Sequence, residues 1–506
     1  MKDETMKYFD GTNYLLETIP SKQFPCYPLY TLLMLILLLP AGCATVGPDY
    51  RSPQLQVSPA WSSSLEGGLT SQADPQQLAT WWAVLNDREL TDLIEKAVAG
   101  NRDLKKAVAS VREARARRGL SRTDLYPTLD TSGTVTRSRG SAEAGSAATA
   151  DLYSAGLDAS WEIDLFGGVR RNIESKEADL AAAGESLHDT LVSLLAEVAT
   201  NYIDLRTAQA RLALTEASLK SLEETYDLTR WKYQAGLGDE LAVQQARYNL
   251  ESTRSLLPAL RTSIVEAKNR LSVLTGKQPG SLGAGLDTTA PIPVIPAAVA
   301  VGIPADILRQ RPDVRRAERQ LASQTAQIGV ATAELYPKLK LSGAIGVEAL
   351  TFSGLFSSGN ATSSGSSGIT WRIFDAGAIR RNIEIQSALE EQYLIAYEST
   401  VLAALEEAEN AILAYAQEQR RRQSLSEAAR SAQEAAELAK IKYQTGLTDF
   451  GTLLEAERSL LSFRDQLAQS DGVVVTNLVK LYKALGGGWT PLIPVEQKMS
   501  INGEKS

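Results

Sequence analysis

Length, composition and charge set the first limits on this chain. Its 506 residues could form two to four ordinary domains, and 44% hydrophobic with 22% charged residues is a folded composition. The formal net charge of −8 comes from interspersed acidic and basic residues, so no basic stripe is available to neutralise a nucleic-acid backbone. Nucleic acid is therefore excluded as a partner. Aromatic residues are sparse at 6%, whereas Ala, Leu, Glu, Arg and Gln crowd two large regions, which is typical of long packed helices.

The N-terminus predicts a signal peptide over residues 1–42. Its apolar stretch, residues 29–39, is too short for a transmembrane helix and suits the hydrophobic region of a signal peptide. The only cysteines are Cys26 and Cys43, so no disulfide framework supports the body of the fold. The sequence PAGC ending at Cys43 resembles a lipobox, in which Cys43 becomes the acylated first residue, and Ala44 after it favours sorting to the outer membrane. The alternative is a structural cysteine behind an ordinary signal.

The rest of the chain consists of two repeats whose matching residues lie 210 positions apart. LYP at 125–127 returns at 335–337, and KYQAGL at 232–237 returns as KYQTGL at 442–447, without a gap. A Gly/Pro/Ala-rich stretch joins the copies, as expected of a linker on the surface. The expected divisions are an N-terminal segment and equatorial region (43–100), repeat 1 (101–276), a linker (277–303), repeat 2 (304–489) and a tail (490–506).

Each copy predicts a helix, two strands, a very long helix, a tight turn and another long helix. The strands are expected at 127–138, 151–163, 337–349 and 366–374, since apolar and polar residues alternate there with a period of two. Each has the length of a tilted strand that crosses a bilayer. The alternative is a half-buried strand in a soluble sheet. The side chains expected to face lipid are Leu157, Trp161, Ile163, Leu341, Ile345 and Trp371.

Four spanning strands cannot close on themselves. Open strand edges are not tolerated in hydrocarbon, and the smallest single-chain barrels have about eight strands. The chain must therefore assemble with copies of itself. The runs Ser138–Ala150 and Ser357–Gly368 are expected to be exposed loops between paired strands, or plain flexible linkers.

The very long helices are predicted over 168–234 and 378–444, with no proline inside either. Apolar residues recur at steps of four and three, which is a heptad-type seam. An ordinary coiled-coil rod is the simpler interpretation of such helices, but it does not explain alternating strands, a signal and a lipidation cysteine on one chain. Gly236 and Gly446 suit the turns that follow, because glycine reaches positive φ without strain.

The order of short motifs resembles the TolC-type outer-membrane efflux proteins, in the OprM/NodT lipoprotein branch. The likeness spans nearly the whole mature chain. The matching segments are Cys43 with GPDY at 47–50, WW at 81–82, LYP at 125–127 and 335–337, WEIDLFG at 161–167, RPDVR at 311–315 and YKALGGGW at 482–489. The resemblance implies long helices with four transmembrane strands per protomer, completed as a homotrimer with a twelve-stranded barrel in the outer membrane and a helical barrel across the periplasm.

The resemblance also implies partners and sites. The helix-turn tips, with Tyr233, Gly236, Tyr443 and Gly446, are expected to contact a periplasmic adaptor joined to an inner-membrane transporter. A periplasmic gate is expected at Thr448, Thr452 and Glu455, which are expected to lie on one helical face, at steps of four and three after the second tip. Three copies of Glu455 would form a carboxylate ring that attracts cations. Gly451 departs from the bulky apolar residue of related lipoproteins.

Nothing in the sequence indicates an enzyme, a cofactor or a metal site. No phosphate loop, dinucleotide fingerprint or nucleophile elbow is present, and the single histidine, His188, has no ligand-like partner at i+4. The predicted function is a lipid-anchored outer-membrane exit duct that passively conducts small molecules from an inner-membrane pump. The alternatives are a duct for type I protein secretion and a non-conducting periplasmic helical scaffold.

Overall fold

The second half of the chain folds as a copy of the first. The computed structural model describes residues 45–54, 57–72, 74–141, 143, 148–282 and 284–489. Signal peptide, Cys43 and tail lie outside them. The helices are α1 (Pro75–Ala79), α2 (Arg88–Gly100), α3 (Arg102–Thr123), α4 (Gly168–Gln234), α5 (Glu240–Arg254), α6 (Leu256–Leu274), α7 (Pro304–Gln310), α8 (Pro312–Ala333), α9 (Ala378–Gln444) and α10 (Phe450–Ala484). The strands are β1 (Leu69–Thr70), β2 (Thr128–Arg139), β3 (Thr149–Ile163), β4 (Val299–Ala300), β5 (Lys338–Ala349) and β6 (Ala361–Thr370).

The two very long helices, α4 and α9, begin and end where the sequence predicts. Each contains 67 residues, which corresponds to about 100 Å at about 1.5 Å per residue. The helix that returns from the first tip differs from the prediction, because it is divided into α5 and α6 at Ser255. Pro258 has no amide hydrogen for the carbonyl of Arg254, which weakens a continuous helix there. Its counterpart at the 210-residue shift is Ala468, and α10 runs unbroken for 35 residues.

The four long strands form one antiparallel sheet in the order β2-β3-β5-β6. Three of them match the predicted segments to within two residues. The fourth prediction, 366–374, was wrong: β6 spans Ala361–Thr370, so most of the Ser/Gly run expected to be a loop is strand. Its Ser, Thr and Gly residues carry no apolar alternation, and strand pairing with β5 decides its position, from Lys338↔Thr370 to Val347↔Ala361.

Trp371 consequently lies just beyond the strand rather than within it. Its indole Nε1 donates to the carbonyl oxygen of Leu335 at 3.0 Å. The same bond joins Trp161 Nε1 to the carbonyl oxygen of Leu125, also at 3.0 Å. Each tryptophan thus fastens the end of one strand to the turn that leads into its neighbour.

The main core lies where the short N-terminal helices pack against α4, α6 and α10. Trp81 stacks on Tyr482 with ring centroids 5.7 Å apart, and the Tyr202 hydroxyl donates to Asp87 at 2.7 Å. The linker between the repeats was expected on the surface, and this was wrong for part of it. Val299 and Val301 are buried, because β4 pairs in parallel with β1 and places them against this core.

Arg311 ties the beginning of repeat 2 to the end of α10. Its side chain is 9% exposed and donates to both carboxylate oxygens of Asp313, to Glu407 Oε2 at 2.7 Å and to the carbonyl oxygen of Ala484 at 2.6 Å. The last bond satisfies a carbonyl that the helix end leaves free, where a cation is also favoured. Burial opposes ionisation of Asp313, but hydrogen bonding to Arg311 and its charge hold the pKa of Asp313 below its usual value. This explains the RPD part of the RPDVR motif.

Replacing Arg311 should therefore be costly. We expect Arg311→Met to lower the free energy of unfolding by about 1–3 kcal/mol, since it leaves the partly buried carboxylate of Asp313 and the carbonyl oxygen of Ala484 without their partner. Tryptophan fluorescence in a urea titration of the detergent-purified protein would measure it. The matched control is Arg430→Met, whose partner Glu427 is also exposed and whose loss should cost at most about 1 kcal/mol. Equal effects of the two substitutions would contradict the role of Arg311.

Candidate functional site

Both long helices end at the tips in the same capping structure. Gly236 and Gly446 have φ of 75° and 76°, which confirms the positive φ expected at these turns. The amide of Leu237 donates to the carbonyl oxygen of Lys232 at 2.8 Å, and Leu447 repeats this bond to Lys442 at 2.8 Å. These are the six-to-one bonds of a Schellman motif, which stops a helix sharply and reverses the chain. The KYQxGL sequence thus builds each tip.

The two tips are joined through Tyr443, which was expected to be an adaptor-contact residue. The Lys232 ammonium lies 4.1 Å from the centre of the Tyr443 ring and donates to its carbonyl oxygen at 2.6 Å. The ring also packs against Phe450, and Tyr443 is only 8% exposed. Its repeat counterpart, Tyr233, is 43% exposed and remains available. Because Lys232 of the first tip covers Tyr443, a partner cannot reach most of its ring.

Sequence reasoning missed the two leucines that follow the turn glycines. Leu237 is 79% exposed and Leu447 is 77% exposed, whereas the residue at this place in a Schellman motif often packs back on its own helix. Trp231 adds a third large apolar side chain near the first tip, 59% exposed. The leucine in KYQxGL was a signal that could have found them. Each tip therefore exposes one leucine at the same position of its turn, Leu237 in the first and Leu447 in the second.

The predicted gate residues do not all lie on one helix. Asp449 is the N-terminal cap of α10, with its carboxylate accepting from the Thr452 amide at 2.8 Å, so the helix begins at Phe450. Thr448 consequently lies in the turn before the cap, which corrects its placement on a shared helical face. Thr452 and Glu455 do lie in the first turns of α10, and both are exposed.

A second acid near the tip, Glu457, is half-buried among four helices. It accepts a hydrogen bond from the Thr225 hydroxyl at 2.9 Å, while its Oε2 has no hydrogen-bond partner among the described residues. Burial raises the pKa of Glu457, against the lowering effects of the Thr225 bond and of Lys440. It lines a cavity of about 250 Å³ together with Asn249, Lys440 and Arg464.

The predicted lipid-facing residues of the first three long strands come together on one face. Leu157 lies opposite Ile345 and Trp161 opposite Leu341, so all four side chains point the same way. Leu157 is 41% exposed and Ile345 62% exposed. Ile163 shares this face and pairs with Leu339. The other face carries charged and small polar side chains, namely Asp130, Ser132, Asp158, Glu162, Lys340 and Ser342.

The segment that follows the predicted lipidation site is held beside the start of α4. The Arg171 guanidinium, 4% exposed, donates to the carbonyl oxygen of Val46 at 3.0 Å, to Asp49 at 2.7 Å and to Glu174 at 2.7 Å. Cys43 itself lies outside the described residues. Because α4 begins just after β3, the chain near Val46 lies next to the end of the sheet at which β3 leads into α4. This end is called the helix-side end of the sheet.

Within the described ranges no helix is long and apolar enough to cross a membrane. The same residues contain no group of His, Cys, Asp and Glu side chains that could hold a metal ion. His188 instead stacks on Trp489 at 4.4 Å and contacts Glu185 through Nδ1 at 3.0 Å.

Comparison with known proteins establishes the class of this chain. The sequence model of the family described as outer membrane efflux protein matches residues 93–277 and again 303–487, so the chain belongs to that family. The resemblance drawn from the motifs is thereby confirmed.

Individual relatives match over nearly their full length. The chain is 35% identical over 462 residues to Nodulation protein T of Rhizobium leguminosarum bv. trifolii, covering 90% of this chain and 96% of that protein. It is 32% identical over 464 residues to Cation efflux system protein CusC of Escherichia coli O6:H1, covering 90% and 97%. The solved structure of the outer-membrane channel OprN is similar with a TM-score of 0.83 and 37% identity, over 88% of this chain and 100% of that one.

The buried acid near the tip predicts a pH dependence. The folded state favours protonated Glu457, so its contribution to stability is full at acid pH and is lost as pH rises through its raised pKa. We expect Glu457→Gln, which keeps an acceptor for Thr225, to melt at a higher temperature than the wild type at pH 8 and at the same temperature at pH 4. Circular dichroism melts at the two pH values would measure this.

The control for that comparison is Glu437→Gln, at a carboxyl that lines the same cavity from α9 and is exposed. The gain in melting temperature of Glu437→Gln over the wild type should change less between pH 4 and pH 8 than that of Glu457→Gln. A Glu457→Gln protein with no gain in melting temperature at pH 8 would show that the buried carboxyl does not destabilise the tip.

Proposed function

We propose that this protein is the outer-membrane exit duct of a tripartite efflux system, and that it passively conducts small molecules. The observation that carries the proposal is the sheet. On its central strands, β3 and β5, one face is apolar and the other polar, and the sheet stands at the head of helices about 100 Å long. Lipid outside and water inside would satisfy both faces at once.

The duct is a trimer in this proposal. Among the described residues β2 and β6 each have a neighbour on one side only, and an unpaired strand edge in hydrocarbon costs several kcal/mol for each polar group. Three copies of a four-stranded sheet give twelve strands, an even number that closes with antiparallel pairing throughout. The long helices would then form the wall of a periplasmic tunnel.

Single-channel recording tests the duct directly. Purified protein added to a planar lipid bilayer should produce discrete conductance steps, and heat-modifiable trimers should be visible on gels. The rival, a periplasmic helical scaffold, gives no steps because it encloses no pore. Trimers in the outer-membrane fraction that never conduct would overturn the duct.

A periplasmic adaptor is proposed to bind the tips, through Leu237 and Leu447. Each leucine buried on binding contributes about 1.5–3 kcal/mol, so losing both should weaken adaptor binding at least about a hundredfold. We expect the double variant Leu237→Ser/Leu447→Ser to form normal trimers but to abolish drug resistance in a host that lacks its own outer-membrane channel. Minimum inhibitory concentrations would measure this.

The matched control for the tips is Val294→Ser, at a side chain 80% exposed in the linker between the repeats. It should leave resistance unchanged. Resistance that survives the double leucine variant would remove these side chains from the docking surface.

Glu455 is proposed to line the periplasmic gate. Removing its charge as Glu455→Gln should lower the preference of the channel for cations, because the carboxylate ring disappears while the side-chain volume stays. Glu455→Ala should in addition raise conductance, since it widens the constriction. Reversal potentials under a salt gradient and single-channel conductance would report both changes. A pore that is unaltered in both variants would place Glu455 outside the gate.

Lipid attachment at Cys43 is proposed to anchor the chain. Val46 lies only three residues after Cys43 and is fixed beside the helix-side end of the sheet, where acyl chains would reach the inner leaflet. Radiolabelled palmitate should enter the wild type and not Cys43→Ser. Incorporation into the variant would show that the lipid is attached elsewhere.

A further inference from the structure

The apolar face of the sheet is bounded by aromatic side chains at two levels. Trp161 lies at the helix-side end. Tyr153 lies on the same face at the opposite end, where β2 leads into β3 and β5 into β6, since an even number of residues separates the two. The Tyr153 ring contacts Phe352 with centroids 6.0 Å apart, and Phe352 contacts Phe356 at 6.1 Å. This opposite end is called the loop-side end of the sheet.

The spacing of the two aromatic levels corresponds to a hydrocarbon layer. The strand from Tyr153 to Trp161 is about 27 Å long at about 3.4 Å per residue. A tilt of about 35–45° reduces this length to a height of about 20 Å, close to the apolar band of about 25 Å that aromatic residues flank in transmembrane barrels. Between the two levels none of the four strands places a charged residue on this face. The loop-side aromatic level therefore marks where hydrocarbon would end.

Two arginines lie on the same face just beyond this level. Val135 pairs with Tyr153, and the next residues of β2 on this face are Arg137 and Arg139. They lie about 7 Å and about 13 Å past the level along the strand. The side chain of Arg137 is 74% exposed, and Arg139 is exposed as well. Cations therefore stand on the outside of the sheet at the height where lipid headgroups would begin.

Both arginines keep hydrogen-bond donors for a ligand. Asp151, opposite Arg137, accepts from its Nε at 2.8 Å and from its Nη2 at 3.3 Å, which holds the guanidinium in place. Nη1 has no partner among the described residues. Arg139 lies opposite Thr149 and forms no ion pair within the described ranges. The loop between the strands contributes one acid, Glu143, which pairs with neither arginine there.

The second hairpin lacks these charges, although its strands pair in the same register. Arg137 pairs with Asp151 in the first hairpin, and the residues 210 positions later pair with each other in the second. The counterparts of Arg137, Asp151 and Arg139 are Val347, Ala361 and Ala349. A hairpin of the same register thus forms with uncharged residues at all three positions. Strand pairing does not require the arginines, so their presence needs another explanation.

We propose that Arg137 and Arg139 bind the phosphate groups of a phosphorylated glycolipid in the outer leaflet of the outer membrane. The proposal rests on the duct proposed above, which puts the loop-side end at the outer surface because the long helices leave from the other end. The outer leaflet of this membrane consists mainly of phosphorylated glycolipid, whereas phospholipid fills the inner leaflet.

The surroundings of the two arginines fit both parts of such a lipid. A guanidinium forms two parallel hydrogen bonds to phosphate oxygens, a geometry that suits Arg139 with all its donors available. The apolar face between the aromatic levels would contact the acyl chains, and the ring of Tyr153 lies at the boundary, where amphipathic aromatic side chains are favoured. Each subunit carries one such site, on its first hairpin.

Lipid binding by the purified full-length protein tests the site, with fluorescent diphosphorylated lipid A in detergent micelles as the probe. The wild type should bind this lipid at least about tenfold more tightly than lipid A without phosphates, and added salt should weaken the binding. Arg139→Ala should weaken it about tenfold, or about 1.4 kcal/mol, which is the order of one hydrogen bond to a charged group. Fluorescence anisotropy would measure the dissociation constants.

A triple variant copies the second hairpin onto the first. Arg137→Val with Arg139→Ala and Asp151→Ala should fold normally and should no longer distinguish the two forms of lipid A. The matched control is Lys340→Ala, which removes a cation from the polar face of the same sheet. It should bind the phosphorylated lipid as the wild type does. The conservative Arg139→Lys should retain most of the affinity, because the charge remains.

The outcomes separate the lipid site from the duct. Arg139→Ala and triple-variant proteins that bind diphosphorylated lipid A as tightly as the wild type would overturn the site. Equal affinity of the wild type for phosphatidylglycerol would overturn the assignment to the outer-leaflet glycolipid. Both results leave the duct intact when the same trimers conduct in planar bilayers, since the arginines lie outside the pore. Protein that gives neither trimers nor conductance overturns the duct and the lipid site together.

Discussion

The hydrogen-bonding requirement of strand edges governs this molecule. In the proposed duct the apolar face of the sheet lies against hydrocarbon, where an unpaired backbone group has no water to bind. The sheet of one chain ends at β2 on one side and at β6 on the other, among the residues that the structure describes. The chain therefore cannot satisfy its own backbone. In the proposed duct this shortage is the reason for self-assembly, and the long helices follow the arrangement of the strands to which they are joined.

Duplication has given the two halves the same backbone and different surroundings. The hairpin registers agree residue by residue, and the 67-residue helices begin 210 positions apart. Yet Arg171 is buried beneath the N-terminal segment while Arg381 is exposed. The helix α10 of the second half is continuous, whereas its counterpart in the first half is divided into α5 and α6 near Pro258. Identical local geometry thus serves an interior contact in one half and an outer surface in the other.

The stability of the protein is unevenly distributed along its length. The large core around Trp81 and Tyr482 fixes the middle of the helices, whereas the tip is held by a small separate cluster around Tyr443 and Phe450. Desolvation raises the pKa of the half-buried Glu457 near the tip, which disfavours its charged form. Regions with few buried apolar contacts open at low free-energy cost. The tip should therefore open at a lower free-energy cost than the middle of the helices.

The sequence by itself determined the repeat, the bounds of both long helices, three of the four long strands and the positive φ of Gly236 and Gly446. These features are local, since they depend on periodicity, on helix termination and on glycine, all of which are visible in neighbouring residues. Only the tertiary structure placed β6, because its Ser, Thr and Gly residues adopt the strand through pairing with β5. Only tertiary packing places Lys232 over Tyr443 and buries Val299 in the core. It also leaves Arg381 exposed while its counterpart Arg171 is buried. Burial of a side chain depends on residues far away in the chain, and identical short sequences cannot specify it.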